Sequence, residues 1–544
     1  MTIVTEQIGR LFEIRTRFGK EECAAKKTML QSLSQQNRFT KNQIKVYFDL
    51  LLFIVAYPEE GDTFNLAAAE LKRVSLLLSK NIRLAESLAE SGIPNTCVSG
   101  MFSFEMIKWM RVQFPKNVKT ISIGADERKA ISILTCLLGE APTEILQEGY
   151  IKWKTWIKGF AVHLKEDILD ILIKVFDQAP ISSRLKEELW NDMQIVVSIS
   201  LDDETLTRGS VVSFAGSTHY HKGINKVPDV TKVLDDKPVV VALTHTQKEK
   251  LIALSRMTLV CYQRETDPVT YTSVDYCRYY SLGNGLTIAL MGLRPDRRQP
   301  IDTYIGYMAF KNGIPIAYGG GWILFDSCRI GVNVFPSFRG GESSLIFTQI
   351  LGVYRHVFSI NRFTVDPYQI GKNNSDGIKS GAFWMYYRMG FRPTNATLRT
   401  IADREFSQIQ NIKNYRSSAK TLAELANSKL EFIIAKQGSA ACFDATDMSI
   451  LYQKLVKERS SGNLAGANKK NQSTVLTVRN KIAENWYRIL SLQDNWKNHI
   501  SEESLDQLLS LKAEGDEYAY IKLLQKNSKL KTFFTKALKE IAQG

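Results

Sequence analysis

Cysteine is scarce in this chain of 544 residues, and its seven copies lie far apart. Their number is odd and no C-x-x-C pair occurs, which argues against both a disulfide framework and a zinc ribbon. Scattered thiols are typical of a reducing compartment such as the cytosol. We therefore expect a cytoplasmic protein whose fold does not depend on disulfides.

Long apolar runs are scarce as well. The most apolar early stretch, VYFDLLLFIVAYP, includes Asp49 and ends at Pro58. It is shorter than the ~20 residues that span a bilayer. The N-terminal MTIVTEQIGRLFEIRTRFGK lacks the apolar core of a signal peptide. Together these features predict a protein with no membrane segment.

Basic residues are in excess but are not clustered. Lys and Arg number 71 against 56 Asp and Glu, a formal net charge of +15, and no run of five or more Lys or Arg appears. A positive balance suits phosphate-bearing partners such as nucleic acid or coenzymes. Because the charge is dispersed, we favour solubility, or a small anionic ligand, over a nucleic-acid-binding arm.

The length exceeds what one hydrophobic core supports and predicts about three domains or subdomains. Residues 1–195 show helical apolar spacing, 196–415 carry short β-branched runs between helices, and 416–458 return to helical spacing. Residues 459–473 are rich in Gly, Ser and Asn and predict a flexible linker before a helical segment at 474–544. The predicted fold is an all-helical N-terminal domain, a mixed α/β sheet flanked by helices, and a helical C-terminal extension.

Within the central region the pattern predicts an order of elements. IVVSISL, GSVVSFAGS and KPVVVALT are expected strands, and a meander follows from GLTIALMGL to CRIGVNVF with a hairpin turn at Lys311–Gly313. SSLIFTQILGVYRHVF predicts a helix, RFTV a strand, SGAFWMYYRMGFRP a helix, and a last strand follows Gly390. Helices are expected again in ADREFSQIQNIKNY, AKTLAELANSKLEFIIA and MSILYQKLVKE.

The most informative stretch is CRIGVNVFPSFRGGESSLIFTQILGVYR, where a strand leads through Arg339-Gly340-Gly341 into a helix. A helix start exposes backbone N–H groups and the positive end of the helix dipole, which suit a phosphate. Glycine lets the backbone approach such a ligand, and Arg339 could add a charge-assisted hydrogen bond.

This order of strand, basic loop, helix and strand, then a helix ending in Tyr-x-x-x-Gly-Phe, resembles the GCN5-related N-acetyltransferase (GNAT) family over roughly residues 275–395. The resemblance implies that the loop binds the pyrophosphate of acetyl-CoA or another acyl-CoA. The residues that would do so are Arg339, Gly340, Gly341, Ser343 and Ser344. The stretch SGAFWMYYRMGFRP also resembles strings in uncharacterised bacterial proteins, from which no activity follows.

The resemblance further implies that the strand before the loop offers its backbone to the pantetheine arm, through Val332, Asn333 and Val334. It implies that Tyr386 protonates the departing thiolate. The loop departs from the family pattern at Glu342, where a glycine is usual, and at Ser344, which replaces a Gly or Ala. A carboxylate there favours the helix but would repel a pyrophosphate unless it points away.

Tyr386 has a second interpretation as an ordinary core residue, because both apolar faces of its helix predict burial. A base is also needed for an amine acceptor, and Asp366 is the first candidate, with turn capping before a proline as the alternative. Asp326 and Glu342 are further candidates. Gln369 and Asn374 are weaker candidates of the same kind.

No metal site is expected. His219 and His221 share one predicted strand face, with His245 further on, but no Cys or carboxylate at ligand spacing completes a set. We interpret them as surface histidines. Cys328 has no histidine near it in sequence, and we expect it to be buried rather than nucleophilic.

Three functions follow as hypotheses. The first is acyl-CoA-dependent transfer of an acyl group to an amine on a small molecule or a peptide, with the N-terminal helical domain shaping the acceptor site or forming a homo-oligomer. The second is a transferase that uses aminoacyl-tRNA on a related fold, suggested by the charge and size. The third is a non-catalytic binding protein that kept the fold, suggested by Glu342.

Overall fold

The computed structural model describes residues 3–202, 205–214, 216–226, 228–434, 447–453, 478–491 and 496–543. The chain divides into two compact units. The first unit comprises Met1–Gly223, Leu243–Val274 and Lys311–Pro315. The second unit comprises Ile224–Ala242, Asp275–Phe310 and Ile316–Gly544. The linker predicted at 459–473 lies outside the described residues, and the domain boundaries drawn from the sequence stay predictions.

The first unit is mainly helical, as the sequence predicts. The helix Lys41–Ala56 is apolar on every side and is buried from Tyr47 onward except at Asp49. Thr40 begins it with a capping box completed by Gln43, which satisfies two backbone donors that a helix start leaves open. The helices of this unit are Ile3–Ile14, Lys20–Ser34, Lys41–Ala56, Gly61–Lys80, Ile82–Ser87, Phe104–Gln113, Glu127–Leu138, Glu144–Gln147, Trp153–Leu164, Ile168–Gln178, Ser183–Met193, His245–Cys261 and Asp267–Thr270, with a 3-10 turn at Ala141–Thr143.

The prediction that residues 1–195 are all helical was wrong in one respect. The first unit contains a three-stranded antiparallel sheet in the order β1-β3-β2, formed by β1 (Cys97–Gly100), β2 (Val118–Ile123) and β3 (Ile195–Ser200). β3 is the predicted strand IVVSISL, but it pairs within this small sheet. Its alternate residues Val197 and Ile199 are fully buried, which supplies the energy for pairing strands far apart in sequence.

The expected strand GSVVSFAGS was also wrong. Over the part of it that the structure describes, 209–214 and 216–217, no residue is in a strand. The Val212 N–H donates to the carbonyl of Gly313 at 3.1 Å, while Thr207 and Ser210 form a local turn. One isolated backbone hydrogen bond, together with a turn at the start of the run, does not form the series of inter-strand hydrogen bonds that defines a β-strand.

The second unit is built on a nine-stranded mixed sheet in the order β11-β12-β10-β9-β8-β7-β6-β5-β4. β9 and β10 run parallel, whereas β8–β9, β10–β12, β11–β12, β5–β6 and β4–β5 are antiparallel. The strands are β4 (Val239–Val241), β5 (Cys277–Ser281), β6 (Leu286–Met291), β7 (Thr303–Lys311), β8 (Ile314–Leu324), β9 (Ser327–Val334), β10 (Arg362–Val365), β11 (Arg392–Pro393) and β12 (Leu430–Ile433).

The predicted hairpin turn joins β7 to β8. Asn312 and Gly313 have positive φ angles of 45° and 81°, as the two central residues of a type I′ turn require. One expectation later in the chain was wrong, because residues 431–434 (EFII) are not helical. The preceding helix ends at Leu425, and residues 431–433 lie in β12, between β10 and β11. The apolar side chains of EFII thus continue the sheet.

Helices accompany this sheet, and the helix Ser343–Phe358 has the bounds that the sequence predicts. The helices of the second unit are Val230–Asp235, Ser343–Phe358, Pro367–Ile370, Ser375–Ser380, Ala382–Arg388, Ala396–Asn411, Ala419–Leu425, Val478–Leu490, Glu502–Ala513, Glu517–Lys526 and Ser528–Gln543, with 3-10 turns at Pro295–Arg297, Pro336–Phe338 and Trp496–Asn498. A further 3-10 turn is Val274–Tyr276, and residues 447–453 are helical. Across the described residues, no helix combines the length and apolar character that a membrane crossing requires.

Three consecutive glycines in β8 make room for aromatic rings. A Cβ added at Gly319 would lie 2.5 Å from the hydroxyl of Tyr307 and 2.4 Å from the carbonyl oxygen of Gly331. Side chains at Gly320 and Gly321 would meet the rings of Tyr304 and Tyr354 at 2.5 Å and 2.6 Å. The centre of the sheet is therefore packed by tyrosines that cross over glycine backbone, and this packing fixes the surroundings of β9.

Candidate functional site

β9 continues past the point where β10 stops pairing with it. Arg362, Phe363 and Thr364 of β10 lie opposite residues 327–329, and β9 then runs on to Val334. The pairing of the two parallel strands therefore ends at Arg329, because β10 itself ends at Val365. We call this gap in the ladder the opening; it leaves backbone groups of residues 330–334 on that side of β9 available to other partners.

The two faces of β9 are different. Side chains alternate along a strand, so Cys328, Ile330 and Val332 share one face and Arg329, Gly331 and Asn333 the other. A Cβ at Gly321, opposite Ile330, would touch Cys328 Sγ and the Tyr354 ring, so the helix Ser343–Phe358 covers the first face. Cys328 is 1 % exposed, as predicted for a buried thiol. The second face is partly open, with Arg329 and Gly331 half-buried and Asn333 exposed.

Tyr386 lies on the covered face, where β9 and β10 part. Its side chain is 1 % exposed, and its ring packs edge-on against Phe347 and Phe391 with centroids 5.3 Å and 5.7 Å away. Burial raises the pKa of the Tyr386 hydroxyl well above its ordinary value, and a hydrogen bond from the backbone of Val332 opposes the rise only in part. The phenol is therefore a protonated group, held against the strand segment that borders the opening.

Tyr307 is a second buried phenol that the sequence analysis did not single out. Its hydroxyl donates to the carbonyl of Gly331 at 2.6 Å, one residue before the contact of Tyr386. Burial raises its pKa, with the nearby Tyr386 as the next cause, so the two hydroxyls are neighbours. The signal in the sequence was the glycine triplet of β8, because only a residue without a side chain lets this ring reach β9.

The remaining aromatics of the helix Ala382–Arg388 pack. Phe383 is fully buried and Trp384 is 6 % exposed. Tyr387 donates its hydroxyl to Asp403, and the Arg392 guanidinium lies 4.0 Å from the Tyr387 ring centroid. Burial, followed by the hydrogen bond to Asp403, raises the pKa of Tyr387 to about 12. Among the aromatics of this helix, Tyr386 is the one that meets the backbone of β9.

The basic loop leads from β9 into the long helix. After the 3-10 turn Pro336–Phe338, Arg339 and Gly340 are exposed, and Gly340 has a φ of 84° that favours glycine. The Arg339 side chain donates to the carbonyl of Val334 at 3.4 Å. Gly341 is buried, whereas Ser343 and Ser344 are half-buried in the first helical turn. An exposed guanidinium beside a helix start is a donor set that fits an anion.

Glu342 is turned away from that helix start. It occupies the N-cap position without a side-chain cap bond, and it is 4 % exposed. Its carboxylate accepts the N–H of Asn225 at 3.2 Å. The charge that would repel a phosphate is thus engaged by the 225 loop, which removes part of the conflict that the sequence raised.

Asp366 and Gln369 lie by the open face of β9. Asp366 makes no cap bond to its own helix, and its carboxylate pairs with Arg329 at 3.3 Å. A Cβ at Gly331 would lie 2.8 Å from Cδ of Gln369, so that amide packs directly on the β9 backbone. The structure brings these two predicted residues together.

The other weak candidates are engaged elsewhere. The Asn374 side chain caps the helix Ser375–Ser380 by accepting the N–H of Gly377 at 3.2 Å. The Asp326 carboxylate accepts a charged hydrogen bond from Lys531 at 2.5 Å. Neither side chain takes part in the contacts along residues 330–334 described above.

The three histidines singled out in the sequence, His219, His221 and His245, belong to the first unit, and they differ in burial. The rings of His219 and His221 are 4.7 Å apart, yet His221 is 6 % exposed, so its interpretation as a surface residue was wrong. It fills a space between Phe18 and Tyr57. His245 is exposed and pairs with Glu249 at 3.6 Å. Over the ranges that the structure describes, no group of three or more His, Cys, Asp or Glu side chains is placed to hold a metal ion.

The geometry assembles a protonated phenol, a strand edge with backbone groups facing an opening, a basic loop at a helix start, and a carboxylate–guanidinium pair on the opposite face. Comparison with known proteins adds no relative: no family model, no curated protein and no solved structure matches this chain.

Proposed function

We propose that the second unit has a GNAT-like fold and transfers an acyl group from acyl-CoA to an amine. The observation that carries this proposal is the parting of β9 and β10 after Arg329, with the Tyr386 hydroxyl held at the backbone of Val332 in that opening. The strand, basic loop, helix, strand and helix order supports it.

In this proposal each element has a chemical task. When bound, acyl-CoA supplies a thioester whose carbonyl carbon an amine can attack directly. Arg339, Gly340 and the amides of the first helical turn would hold the pyrophosphate. Backbone groups of residues 332–334 would hold the pantetheine arm, and a strand N–H there would polarise the carbonyl. Tyr386 is protonated because burial raises its pKa, and it would be the proton donor to the departing thiolate, although the raised pKa makes it a weaker acid than an ordinary phenol.

Base chemistry would come from the other face of the strand. Asp366, oriented by Arg329 at 3.3 Å, is the carboxylate on that face of β9, and Gln369 lies beside it. We assign Asp366 the role of accepting the amine proton, directly or through a water.

The fit of the site to acyl-CoA depends on one movement. Tyr386 is 1 % exposed, so the opening must widen before a thioester can reach its hydroxyl. The Val332 backbone group that bonds the Tyr386 hydroxyl is also one of the groups assigned to the pantetheine arm. The ligand would therefore replace the hydroxyl at this backbone group. We expect binding to be accompanied by a shift of the helix Ala382–Arg388.

Calorimetry with acetyl-CoA and the full chain tests the proposal. We expect acetyl-CoA to bind at millimolar concentration or below. Arg339→Ala should weaken this binding roughly tenfold, because it removes one charge-assisted hydrogen bond. Arg355→Ala is the matched control. Arg355 lies in the last turn of the helix Ser343–Phe358, at the end far from Arg339, and its guanidinium pairs with Asp235 at 3.0 Å. Folded protein that does not bind acetyl-CoA at millimolar concentration would remove coenzyme use.

A second candidate, a non-catalytic binding protein on this fold, is favoured by a specific observation. Glu342 and Tyr386, at the two ends of the site, are 4 % and 1 % exposed. If the opening is permanently closed by these side chains, acetyl-CoA will not bind and Glu342→Gly will not create binding. If Glu342→Gly strengthens acetyl-CoA binding, the site is a coenzyme site whose affinity the carboxylate limits.

A further inference from the structure

A cavity of about 280 Å³ lies in the second unit, next to the first residues of β9. It is lined by residues from the 299–302 segment before β7, by one residue each of β8 and β9, and by the 447–453 helix. The lining side chains on which the argument rests are Ile301, Asp302, Trp322, Arg329, Met448 and Tyr452. The volume lies just below the ~300–1,000 Å³ of pockets that take drug-sized ligands, which points to a smaller molecule.

The wall of the cavity is held rigidly. Tyr520 donates to the carbonyl of Ile301 at 2.5 Å, and the Trp486 indole donates to the carbonyl of Pro300 at 3.2 Å. Lys512, which is fully buried, donates to the carbonyl of Asp302 at 2.8 Å and pairs with Glu517 at 2.5 Å. The segment that carries Asp302 is thus fixed by three separate hydrogen bonds to its backbone.

The Asp302 carboxylate forms no direct ion pair with a basic side chain among the described residues. Lys512 contacts the backbone oxygen of Asp302 and forms its ion pair with Glu517. Burial raises the pKa of the Asp302 carboxyl, and the nearby positive charges of Lys512 and then Arg329 oppose the rise. A half-buried carboxyl of this kind gains stability from a cation brought by a ligand.

Arg329 supplies the opposite charge in the same cavity. Its guanidinium lies 4.4 Å from the ring centroid of Trp322 and uses one nitrogen to pair with Asp366 at 3.3 Å. The Trp322 ring is itself stacked on Tyr304 with centroids 3.8 Å apart, which fixes its orientation. A guanidinium has five N–H donors, so one monodentate pair leaves it able to bind a second carboxylate.

We propose that this cavity binds a free α-amino acid with a large apolar side chain. The ammonium group would pair with Asp302, the carboxylate with Arg329, and the side chain would lie against Ile301, Met448 and the edge of Trp322. One carboxylate and one guanidinium facing a small, partly apolar space are complementary to a zwitterion. This binding shares Arg329 with the Asp366 pair used in the proposed function, but it requires no acyl-CoA, so calorimetry without coenzyme tests it separately.

Calorimetry of the full chain at pH 7 with three related probes separates the contributions. L-phenylalanine carries both charges, phenethylamine only the ammonium, and N-acetyl-L-phenylalanine only the carboxylate. We expect L-phenylalanine to bind and each of the other two to bind roughly ten- to a hundredfold more weakly, because each loses one charge-assisted hydrogen bond. Equal binding of all three probes, or no binding of L-phenylalanine at 10 mM, would overturn the proposal.

Two variants assign the charges. Asp302→Asn should weaken L-phenylalanine and phenethylamine about tenfold or more but leave N-acetyl-L-phenylalanine unchanged, and Arg329→Gln should do the converse. Burial disfavours the charged form of Asp302 more than the nearby Lys512 and Arg329 favour it, so the melting temperature of Asp302→Asn should not fall. Glu502→Gln is the control, because Glu502 is 71 % exposed and pairs with Lys497 on the surface. A variant pattern that does not depend on the probe would refute the assignment.

Discussion

Replacing Tyr386 by phenylalanine separates a chemical role from a packing role. The change removes a hydroxyl that is 1 % exposed and leaves the Val332 backbone group without its phenol partner. An unsatisfied buried polar group costs about 1–3 kcal/mol, so we expect the free energy of unfolding to fall by that amount. If Tyr386 is also the general acid, acyl transfer should fall by a further ~10²–10⁴-fold.

Tyr307→Phe is the matched control for this experiment. Tyr307 is fully buried and donates its hydroxyl to the carbonyl of Gly331, one residue before Val332 in β9, at 2.6 Å. Its loss should cost about the same 1–3 kcal/mol in stability. In our proposal the Tyr307 hydroxyl does not donate a proton to the departing thiolate, because it donates to the Gly331 carbonyl. The two variants should therefore match in stability and differ in chemistry.

Urea denaturation measures the stability of both variants, and release of free coenzyme A thiol from acetyl-CoA with a panel of primary amines measures the chemistry. If Tyr386→Phe is as stable as the original chain, the hydroxyl does not hold β9 as described. If both variants lose thiol release to the same extent, the loss comes from packing, and the acid role of Tyr386 is refuted.

Two further predictions concern packing and pH. Gly319→Ala should destabilise the chain by about 1–3 kcal/mol, because its Cβ would lie 2.4 Å from a backbone oxygen. Gly159→Ala, in a helix and with nothing within 4 Å of the added Cβ, should stabilise the chain by about 0.5–1 kcal/mol. Urea denaturation of both variants checks this, and equal effects on the free energy of unfolding would contradict the glycine argument. Burial, then the charges of Lys311 and His219, lowers the pKa of His221 to about 3, so the neutral ring stabilises the fold fully above pH ~6.5 and this contribution is lost as pH falls toward 3. Between pH 6.5 and 5, urea denaturation should therefore show the original chain losing about 2 kcal/mol relative to His221→Phe, and equal pH dependence of the two chains would contradict the argument.

Local sequence signals predicted the parts of the fold that depend on near neighbours. The helix Ser343–Phe358, the strand β10 and the turn at Asn312 and Gly313 each carry their own pattern of apolar spacing or turn residues. β12 could not be predicted in this way, because LEFII is apolar enough for a helix or a strand. Its state is decided by β10 and β11, with which it pairs although they lie elsewhere in the chain.

The sequence indicated Tyr386, Arg339 and Asp366 as site residues, and that assignment stays a prediction. The structure shows Tyr386 buried, as the apolar faces of its helix predict, Arg339 exposed, and Asp366 paired with Arg329. Nothing near Glu342 in sequence indicates that the loop at Asn225 would take its carboxylate. The role of Asp302 was missed for a similar reason, since its burial is created by Lys512 and Tyr520, which lie more than two hundred residues away.

The parting of β9 and β10 places the edge of a hydrogen-bond ladder in the interior of a nine-stranded sheet. Residues 327–329 lie between β8 and β10, while Val332 pairs with Gly319 of β8 on one side and meets the Tyr386 side chain on the other. In hydrogen exchange, the amides of residues 327–329 should therefore exchange only when the sheet unfolds. The Val332 amide should exchange at the rate at which the helix Ala382–Arg388 lifts Tyr386 away, so the protection of this one amide would report how often the opening is accessible.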